Sequence, residues 1–171
     1  MTIEIYTDGG CKKNPGPGAC AFVVLVDGKI MTQTIRGSLF ATNNEMEFFA
    51  VIEAIKWVNK HYPGQDMTIY TDSQYVVNVY NIWYDKWVDE CKLKTKKNVE
   101  IIQELMKLRT QAIKIVWVKG HADNKYNNLA DILVKEGLGN VTDPDLPKSS
   151  PLRVPRAFRK FPTQPDAIFR R

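Results

Sequence analysis

The sequence of 171 residues has only three cysteines and two histidines, and it contains no long apolar run. Cys11, Cys20 and Cys91 are odd in number and lack C-x-x-C spacing, which argues against a disulfide framework and a cysteine-based zinc site. No apolar run approaches the roughly 20 residues of a membrane span, so we expect no membrane partner. This composition favours a reducing, cytoplasmic location.

The N-terminal residues also lack the pattern of a secretion signal. Glu4 stands where such a signal is basic, and a strand-like pattern replaces the apolar central region. We therefore expect that the chain is not exported.

Positive charge and proline are concentrated near the C-terminus. The net charge is +5, and residues 141–171 carry seven Lys or Arg against three Asp. Six of the nine prolines also lie there, and little periodicity remains. The sequence therefore predicts one domain over residues 1–140 and a Pro-rich basic tail over residues 141–171. Such a tail could bind nucleic acid, dock on the domain or remain solvated.

Hydrophobic patterns predict five strands and four helical stretches. Strands are expected at 3–8, 20–26, 29–35, 67–72 and 113–118, and helices at about 43–60, 73–88, 98–111 and 125–136, the last one ending at Gly137. Asp27-Gly28 predicts a hairpin turn between the second and third strands. The Pro/Gly-rich segment 14–18 is expected to be a tight turn outside any helix or central strand.

This order of elements predicts an α/β fold around a mixed sheet. Three strands form an antiparallel meander, and strands reached through helices add parallel partners, with helices on both faces. The first and fourth strands share the sequence I-Y-T-D, which ends in Asp8 and Asp72. If these two strands are parallel neighbours, both aspartates lie together at the carboxyl ends of the strands. A single aspartate after a strand more often starts a turn, so other acids must join the pair to make a site.

Two acids of the predicted helices are candidates to join them. Glu47 lies on the apolar face of the first helix, which is the face expected to pack on the sheet. Alternatively, Glu47 caps that helix with Asn44, as Glu45 would with Thr42. Asp131 lies in the last helix, where the alternative is an ordinary solvated acid.

Acidic groups brought together at a sheet edge require a positive partner, because burial and like charge both disfavour their ionised forms. No Lys or Arg accompanies these motifs closely, and there is no His/Cys cluster. Hard carboxylate oxygens therefore favour Mg²⁺, with Mn²⁺ as a possible substitute. Two such ions about 4 Å apart could activate a water and stabilise the leaving oxygen of a phosphodiester.

Five motifs together resemble type 1 ribonuclease H. They are I-Y-T-D-G-G at 5–10, N-P-G-P-G at 14–18, T-N-N-E-M-E at 42–47, T-D-S-Q-Y-V at 71–76 and W-V-K-G-H-A at 117–122, followed by Asn127 and Asp131. The resemblance spans residues 1 to about 138. It implies a ribonuclease H-like fold, with a five-stranded mixed sheet in the order 3-2-1-4-5 and helices on both faces.

The resemblance also implies a set of site residues. The four metal-binding carboxylates would be Asp8, Glu47, Asp72 and Asp131, and His121 would assist by proton transfer or product release. Positions implied to contact an RNA–DNA hybrid are Gly9, Cys11, Asn14, Thr42, Asn43, Asn44, Gln74, Trp83 and Asn127. Amide side chains can both donate and accept, which suits recognition of the RNA 2′-hydroxyl. Helix capping is the alternative role for Thr42 and Asn43.

In bacterial relatives, the resemblance implies a helix and a basic loop that hold the hybrid. Trp83, Tyr84 and Trp87 match the aromatic part here, although core packing is the alternative for these rings. The basic part is reduced to four lysines, at positions 92, 94, 96 and 97. Lysines there would still offer contacts to phosphate.

The predicted function is that of a monomeric, metal-dependent endoribonuclease that hydrolyses the RNA strand of RNA–DNA hybrids, leaving 5′-phosphate and 3′-hydroxyl ends. One rival hypothesis is a DNA nuclease or recombinase with the same fold, because a fold does not determine a substrate. A second is a hybrid-binding module without activity, which would be expected to have lost at least one of the four acids.

Overall fold

An antiparallel meander of three strands begins the fold in the computed structural model, which describes residues 1–142 and 168–170. The strands are β1 (Ile3–Cys11), β2 (Gly16–Val26) and β3 (Lys29–Ala41), and β2 pairs with both of the others. Asp27 and Gly28 join β2 to β3 with φ angles of 50° and 79°. Both angles lie in the left-handed region that a tight two-residue hairpin turn requires, so the predicted hairpin is confirmed.

The Pro/Gly-rich segment departs from the prediction, because β2 already begins at Gly16. Gly16 pairs with Ala41 and Gly18 pairs with Ser38, and the register shifts between the two pairs. Pro17 lies in this irregularity, so its missing N–H costs no hydrogen bond of the β2–β3 ladder. Its carbonyl oxygen accepts a hydrogen bond from the Lys12 N–H at 3.0 Å.

The long helix α1 (Asn43–His61) begins with a capping box. Thr42 Oγ1 accepts from the Glu45 N–H at 3.2 Å, and Glu45 Oε1 accepts from the Thr42 N–H at 3.2 Å. Of the two pairs that the sequence allowed, Thr42 with Glu45 is therefore the one that caps the helix. The Glu47 carboxyl is left available for another role.

Two parallel strands complete the predicted sheet. They are β4 (Met67–Thr71), which pairs with β1, and β5 (Ile113–Trp117), which pairs with β4. The order 3-2-1-4-5 is thus confirmed. A sixth strand, β6 (Ile168–Arg170), pairs antiparallel with β3 around Ile35. It belongs to the predicted tail, and three residues are too few to produce a recognisable periodic pattern.

A broken helical segment lies between β4 and β5. It consists of α2 (Gln74–Asn78), a π-helical turn (Val79–Trp83), α3 (Tyr84–Asp89), a 3-10 turn (Leu93–Thr95) and α4 (Val99–Lys107). From the π-helical turn, the Tyr80 hydroxyl donates to the Ile113 carbonyl at 3.2 Å and Asn81 Nδ2 donates to the Ile115 carbonyl at 3.1 Å. These bonds occupy carbonyl groups at the outer edge of β5, where a further strand would otherwise pair.

The last helix, α5 (Lys125–Thr142), does not end at Gly137 as predicted. Gly137 is buried, and a Cβ at this position would lie 2.6 Å from Ile35 Cγ2 and 2.9 Å from Ala19 Cβ. The glycine therefore permits close packing of α5 on β2 and β3, and it does not act as a cap. In the described part of the chain, no helix has the length and apolar character needed to cross a bilayer.

Helices α1 and α5 cover opposite faces of the sheet. A Cβ at Gly9 would lie 2.4 Å from the carbonyl carbon of Met46 in α1, whereas a Cβ at Gly10 would lie 4.0 Å from Val134 Cγ1 in α5. Neighbouring residues of a strand face opposite sides, so the two helices sandwich β1. The largest fully buried side chains between these layers include Phe22, Phe48, Phe49, Leu25, Ile52 and Ile69.

Candidate active site

The two aspartates of the repeated I-Y-T-D sequence lie side by side at the end of the central parallel ladder. This ladder ends with Thr7 opposite Thr71. Asp8 and Asp72 are the residues that follow this last pair, one after each threonine. Strand β1 continues beyond Asp8 through its pairing with β2, where Asp8 lies opposite Ala21. Asp8 is consequently held on a central strand and is only 7% exposed.

Glu47 brings a third carboxyl group to the same point from the first turns of α1. Asp8, Glu47 and Asp72 each offer one carboxylate oxygen, and these oxygens lie within 4.8 Å of one another. The close approach of Gly9 to the backbone of α1 explains how helix and strand come together here. Glu47 Oε2 is inaccessible to solvent and has no hydrogen-bond partner among the described residues.

Asp131 and His121 lie beside this group of three carboxyls, and neither belongs to it. The Asp131 side chain is 25% exposed, and its Oδ2 lies 3.0 Å from Lys135 Nζ, one turn further along α5. His121 is exposed and has a φ of 54° in the turn before α5. Both residues affect the pKa of Asp72, which places them within electrostatic range of the site.

Burial and mutual repulsion raise the pKa values of the clustered acids. Burial, with the charge of Asp72 second, raises the pKa of Asp8 to about 7, although the Gly9 backbone hydrogen bond opposes the shift. Burial and the charge of Asp8 raise the pKa of Glu47 well above its ordinary value. The pKa of Asp72 is raised by burial and by Asp131, against the opposing charge of His121. Without a cation, the group resists full ionisation.

The residues present fit a hard divalent cation. The part of the chain that the structure describes places no Lys or Arg nitrogen within 4.0 Å of the three clustered carboxyls, so no side-chain ion pair neutralises them. Their ligand atoms are all oxygens, which Mg²⁺ and Mn²⁺ prefer. The unpartnered Oε2 of Glu47 is a buried acceptor for which a cation is a suitable partner.

The turn after β5 holds the backbone around Asp72, a role that the sequence did not suggest. Trp117 Nε1–H donates to the Asp72 carbonyl at 3.2 Å, and the Val118 N–H donates to the Thr71 carbonyl at 2.9 Å. In the W-V-K-G-H-A motif, His121 was the only residue assigned a role. The signal for Trp117 was its place at the predicted end of β5, opposite the end of β4.

Asn14, Asn43 and Cys11 form one connected group beside the site. The Cys11 N–H donates to Asn43 Oδ1 at 2.7 Å, and the Asn43 N–H donates to Asn14 Oδ1 at 3.2 Å. A backbone N–H can only donate, so both accepting atoms must be amide oxygens. Asn14 and Asn43 are exposed, and their NH₂ groups are the donors that remain available.

The other predicted contact residues lie in different environments. Asn44 and Gln74 are exposed, near the starts of α1 and α2, whereas Thr42 is partly buried and serves as the N-cap of α1. Asn127 is only 2% exposed, and its Oδ1 has no hydrogen-bond partner among the described residues. The sequence alone did not indicate that Asn127 is buried, because nothing in its motif marks which face of α5 it occupies.

Trp83 is part of an aromatic row that leads from the core toward the surface. Its ring centroid lies 5.9 Å from that of Tyr75 and 5.9 Å from that of Trp87. Lys96 Nζ lies 5.1 Å from the centroid of the Trp87 ring, within the range of a cation–π contact. Trp83, Tyr84 and Trp87 are partly buried and pack against the hydrophobic core, which is the alternative considered for these rings.

Comparisons with known proteins agree with this fold and site. The profile of the RNase H family matches residues 1–139. A ribonuclease H of Hahella chejuensis is 42% identical over 149 residues, covering 82% of this chain and 98% of the relative. A ribonuclease H of Ehrlichia canis is 40% identical over 139 residues, covering 78% and 92%.

Solved structures share the same architecture. LC9-RNase H1, a type 1 RNase H with the type 2 active-site motif, superposes with a TM-score of 0.70 at 25% identity, covering 81% of this chain and 72% of that one. LC11-RNase H1, solved in complex with an RNA/DNA hybrid, gives a TM-score of 0.62 at 23% identity, covering 79% and 95%. The second similarity is evidence for the fold alone.

The fold and the clustered carboxyls are those of a nuclease with a mixed five-stranded sheet. With the match over residues 1–139 and relatives at about 40% identity, the chain belongs to the ribonuclease H family. It is an endoribonuclease, a phosphodiester hydrolase that acts on RNA–DNA hybrids. The prediction of family and activity is thereby confirmed.

Proposed function

We propose that this chain cleaves the RNA strand of RNA–DNA hybrids by a two-metal mechanism that leaves 5′-phosphate and 3′-hydroxyl ends. The observation that carries the proposal is the group of three carboxyls within 4.8 Å, in which Glu47 Oε2 is buried without a hydrogen-bond partner. Divalent cations bound there, Mg²⁺ by preference, would supply an activated water and stabilise the leaving oxygen.

Each carboxyl has a proposed role that follows from its position. Asp8 and Asp72 would hold the cations from the sheet edge, and Glu47 would complete the site from α1. Asp131 would bind from the open side, where it now pairs with Lys135 at 3.0 Å. His121, exposed and near Asp72, is proposed to move a proton or assist product release, because an imidazole ring can both donate and accept a proton.

Recognition of the hybrid is proposed to rely on amide donors at the starts of α1 and α2 and in the segment between β1 and β2. Asn14 and Asn43 use their oxygens inside the protein, so their exposed NH₂ groups would face acceptor atoms of the minor groove or the RNA sugar. Asn44 and Gln74 are exposed and complete this polar surface. LC11-RNase H1, which shares the fold, was solved with an RNA/DNA hybrid bound.

Other proposed contacts would use backbone groups, a hydroxyl group or an aromatic ring. Gly9, Cys11 and Thr42 would act through backbone or hydroxyl groups near the same surface, and Trp83 would approach the DNA strand from its aromatic row. Asn127 is buried, which argues against direct contact with the hybrid and favours an internal role near the start of α5.

We further propose a cytoplasmic monomer. The three cysteines are all free, which suits a reducing compartment. The proposed arrangement of the chain remains a catalytic domain over residues 1–140 and a basic tail over residues 141–171. Pairing of β6 with β3 supports docking of the end of this tail on the domain, while contacts of the tail with nucleic acid remain a proposal.

The decisive experiment is cleavage of a labelled RNA–DNA hybrid by the wild-type chain and by Asp72→Asn. Single-stranded RNA, duplex RNA and duplex DNA serve as control substrates, each with Mg²⁺ and with a chelator. We expect cleavage of the hybrid alone, dependent on Mg²⁺, and loss of nearly all turnover in the variant. The variant should fold as well as the wild type or better, because it removes repulsion between carboxylates.

Two results would contradict the proposal. Near wild-type cleavage by Asp72→Asn would show that Asp72 is not a required metal ligand. Efficient cutting of duplex DNA would favour the rival nuclease function. Product ends are checked by ligation of the 3′ fragment, which requires a 5′-phosphate.

A further inference from the structure

Trp117 occupies an unusual place for a tryptophan at the end of a strand. It is the last residue of β5, and its side chain is 43% exposed. A large share of its surface thus stays in contact with solvent, so burial alone does not account for its position. Its Nε1–H instead donates to the carbonyl oxygen of Asp72, at 3.2 Å.

This hydrogen bond continues the pairing of β4 with β5 beyond the regular ladder. Thr71 lies opposite Trp117 in the parallel register, and the Val118 N–H donates to the Thr71 carbonyl at 2.9 Å. Two consecutive carbonyl groups, those of Thr71 and Asp72, thus accept hydrogen bonds from two consecutive residues at the end of β5. The peptide that carries the Asp72 side chain has little freedom to rotate.

The same turn also approaches the Asp72 carboxyl itself. A Cβ at Gly120 would lie 2.8 Å from Asp72 Oδ2 and 3.4 Å from Asp72 Cβ. The absence of a side chain at Gly120 lets the backbone of the turn lie directly against the carboxyl group. The turn therefore touches Asp72 on its main chain, through Trp117, and beside its side chain, through Gly120.

We propose that Trp117 and Gly120 are positioning residues that aim the Asp72 carboxylate at a divalent cation. Trp117 fixes the Asp72 carbonyl, and Gly120 leaves the carboxylate room to keep its orientation. The inference rests on the proposed role of Asp72 as a metal ligand. Groups that orient a ligand in this way commonly contribute about 10- to 100-fold to metal affinity or activity.

The test uses two variants that disturb Asp72 in independent ways. Trp117→Phe keeps an aromatic ring and removes the N–H donor, and Gly120→Ala adds one methyl group beside the carboxylate. Trp57→Phe is the matched control for the first, because Trp57 stacks on His61 at the far end of α1. Gly139→Ala is the control for the second, because a Cβ there meets nothing within 4 Å.

Calorimetric titration of the full chain with Mg²⁺ alone, without hybrid, is the primary measurement. We expect the dissociation constant to rise by about tenfold in both test variants and to stay unchanged in both controls. Turnover at limiting Mg²⁺ should fall by a similar factor and recover in excess Mg²⁺. The KM for the hybrid should stay within about twofold, since the substrate contacts are intact.

Different failures have different meanings. A higher KM for the hybrid in Trp117→Phe, with unchanged Mg²⁺ affinity, would make Trp117 a substrate contact and overturn the inference. Unchanged affinity in both test variants would overturn it as well. If Trp117→Phe does not fold, Gly120→Ala decides by the same titration. If Asp72→Asn retains activity, the proposed function fails. If Asp72→Asn is inactive while Trp117→Phe and Gly120→Ala behave like the wild type, only this inference is rejected.

Discussion

The acidic site has a buried wall and an open wall, and the two are built differently. The buried wall consists of Asp8 on central strand β1 and of Glu47 on α1, a half-buried residue whose Oε2 is inaccessible to solvent. Gly9 brings strand and helix into direct backbone contact there. The open wall consists of Asp72, which follows the end of β4, with Asp131 and His121 beside it. Regular secondary structure positions the first pair, while turns and a helix surface position the second group.

This difference indicates that the two walls have different roles in the site. Asp8 and the Oε2 of Glu47 are shielded from water, so in the proposed metal site these groups would define where a cation binds. On the open wall, Asp131 is partly exposed to solvent and pairs with Lys135, whose side chain is itself largely exposed. Under the proposed function, a hybrid would approach from this open side, where His121 is exposed and Asp131 is partly exposed.

The largest expected effect concerns the backbone contact of the buried wall. In Gly9→Ala, the new Cβ would lie 2.4 Å from the Met46 carbonyl carbon and 2.6 Å from the Glu47 nitrogen. Backbone atoms cannot yield as a side chain can, so we expect the free energy of unfolding to fall by about 3 kcal/mol or more. Urea denaturation measures it.

Gly10→Ala is the matched control for this prediction. Its Cβ would meet nothing closer than 3.9 Å, so the change should be small. Equal stability of the two variants would show that the close contact at Gly9 does not constrain the wall.

The second prediction concerns the pH dependence of stability in chelator. The Asp8 pKa is about 7 in the folded protein against an ordinary 3.8, so the folded state holds this proton more tightly than the unfolded chain. The free energy of unfolding should therefore decrease as pH rises from about 4 to about 7 and level off above, by on the order of 4 kcal/mol. Urea denaturation across this range measures the slope.

Two comparisons isolate the contribution of Asp8. Asp8→Asn should show a flatter profile, and saturating Mg²⁺ should flatten that of the wild type, because the bound cation replaces the proton. A wild-type slope that is identical to that of the variant would assign the pH dependence to other groups. The variant should also lose activity by at least about a hundredfold.

The smallest expected effect lies on the open wall. Asp131→Asn should lower turnover by only about tenfold, because Asp131 lies outside the group of three carboxyls and is partly solvated. Hybrid cleavage at saturating Mg²⁺, compared directly with Asp8→Asn, measures the difference. A loss as large as that of Asp8→Asn would make the two walls equivalent.

Much of the fold was predictable because local patterns and global topology agree. Helix α1 has helical periodicity and a capping box, and Asp27-Gly28 is a strong hairpin signal. The prediction went wrong where tertiary contacts override local preference. Gly137 looks like a helix end in sequence, yet it lies inside α5 because only a glycine fits against Ile35 and Ala19.

The grouping of three carboxyls was predictable from the sequence, and their surroundings were less so. The repeated I-Y-T-D sequence indicated two neighbouring strand ends, and the apolar face of α1 indicated the direction of Glu47. The burial of Asn127 and the hydrogen bond of Trp117 depend on which faces meet after folding. Neither residue carries a local signal of these contacts.

By itself, the sequence determined the fold class and the family and indicated which acids could come together, because strand periodicity, capping and turn chemistry act over a few residues and leave a visible pattern. Only the tertiary structure decided that three of the four acids form the tight group, that Asp131 stands beside them, and that the turn after β5 holds Asp72. These outcomes depend on atomic distances between elements far apart in the chain. Close packing sets such distances, and residue type alone does not encode them.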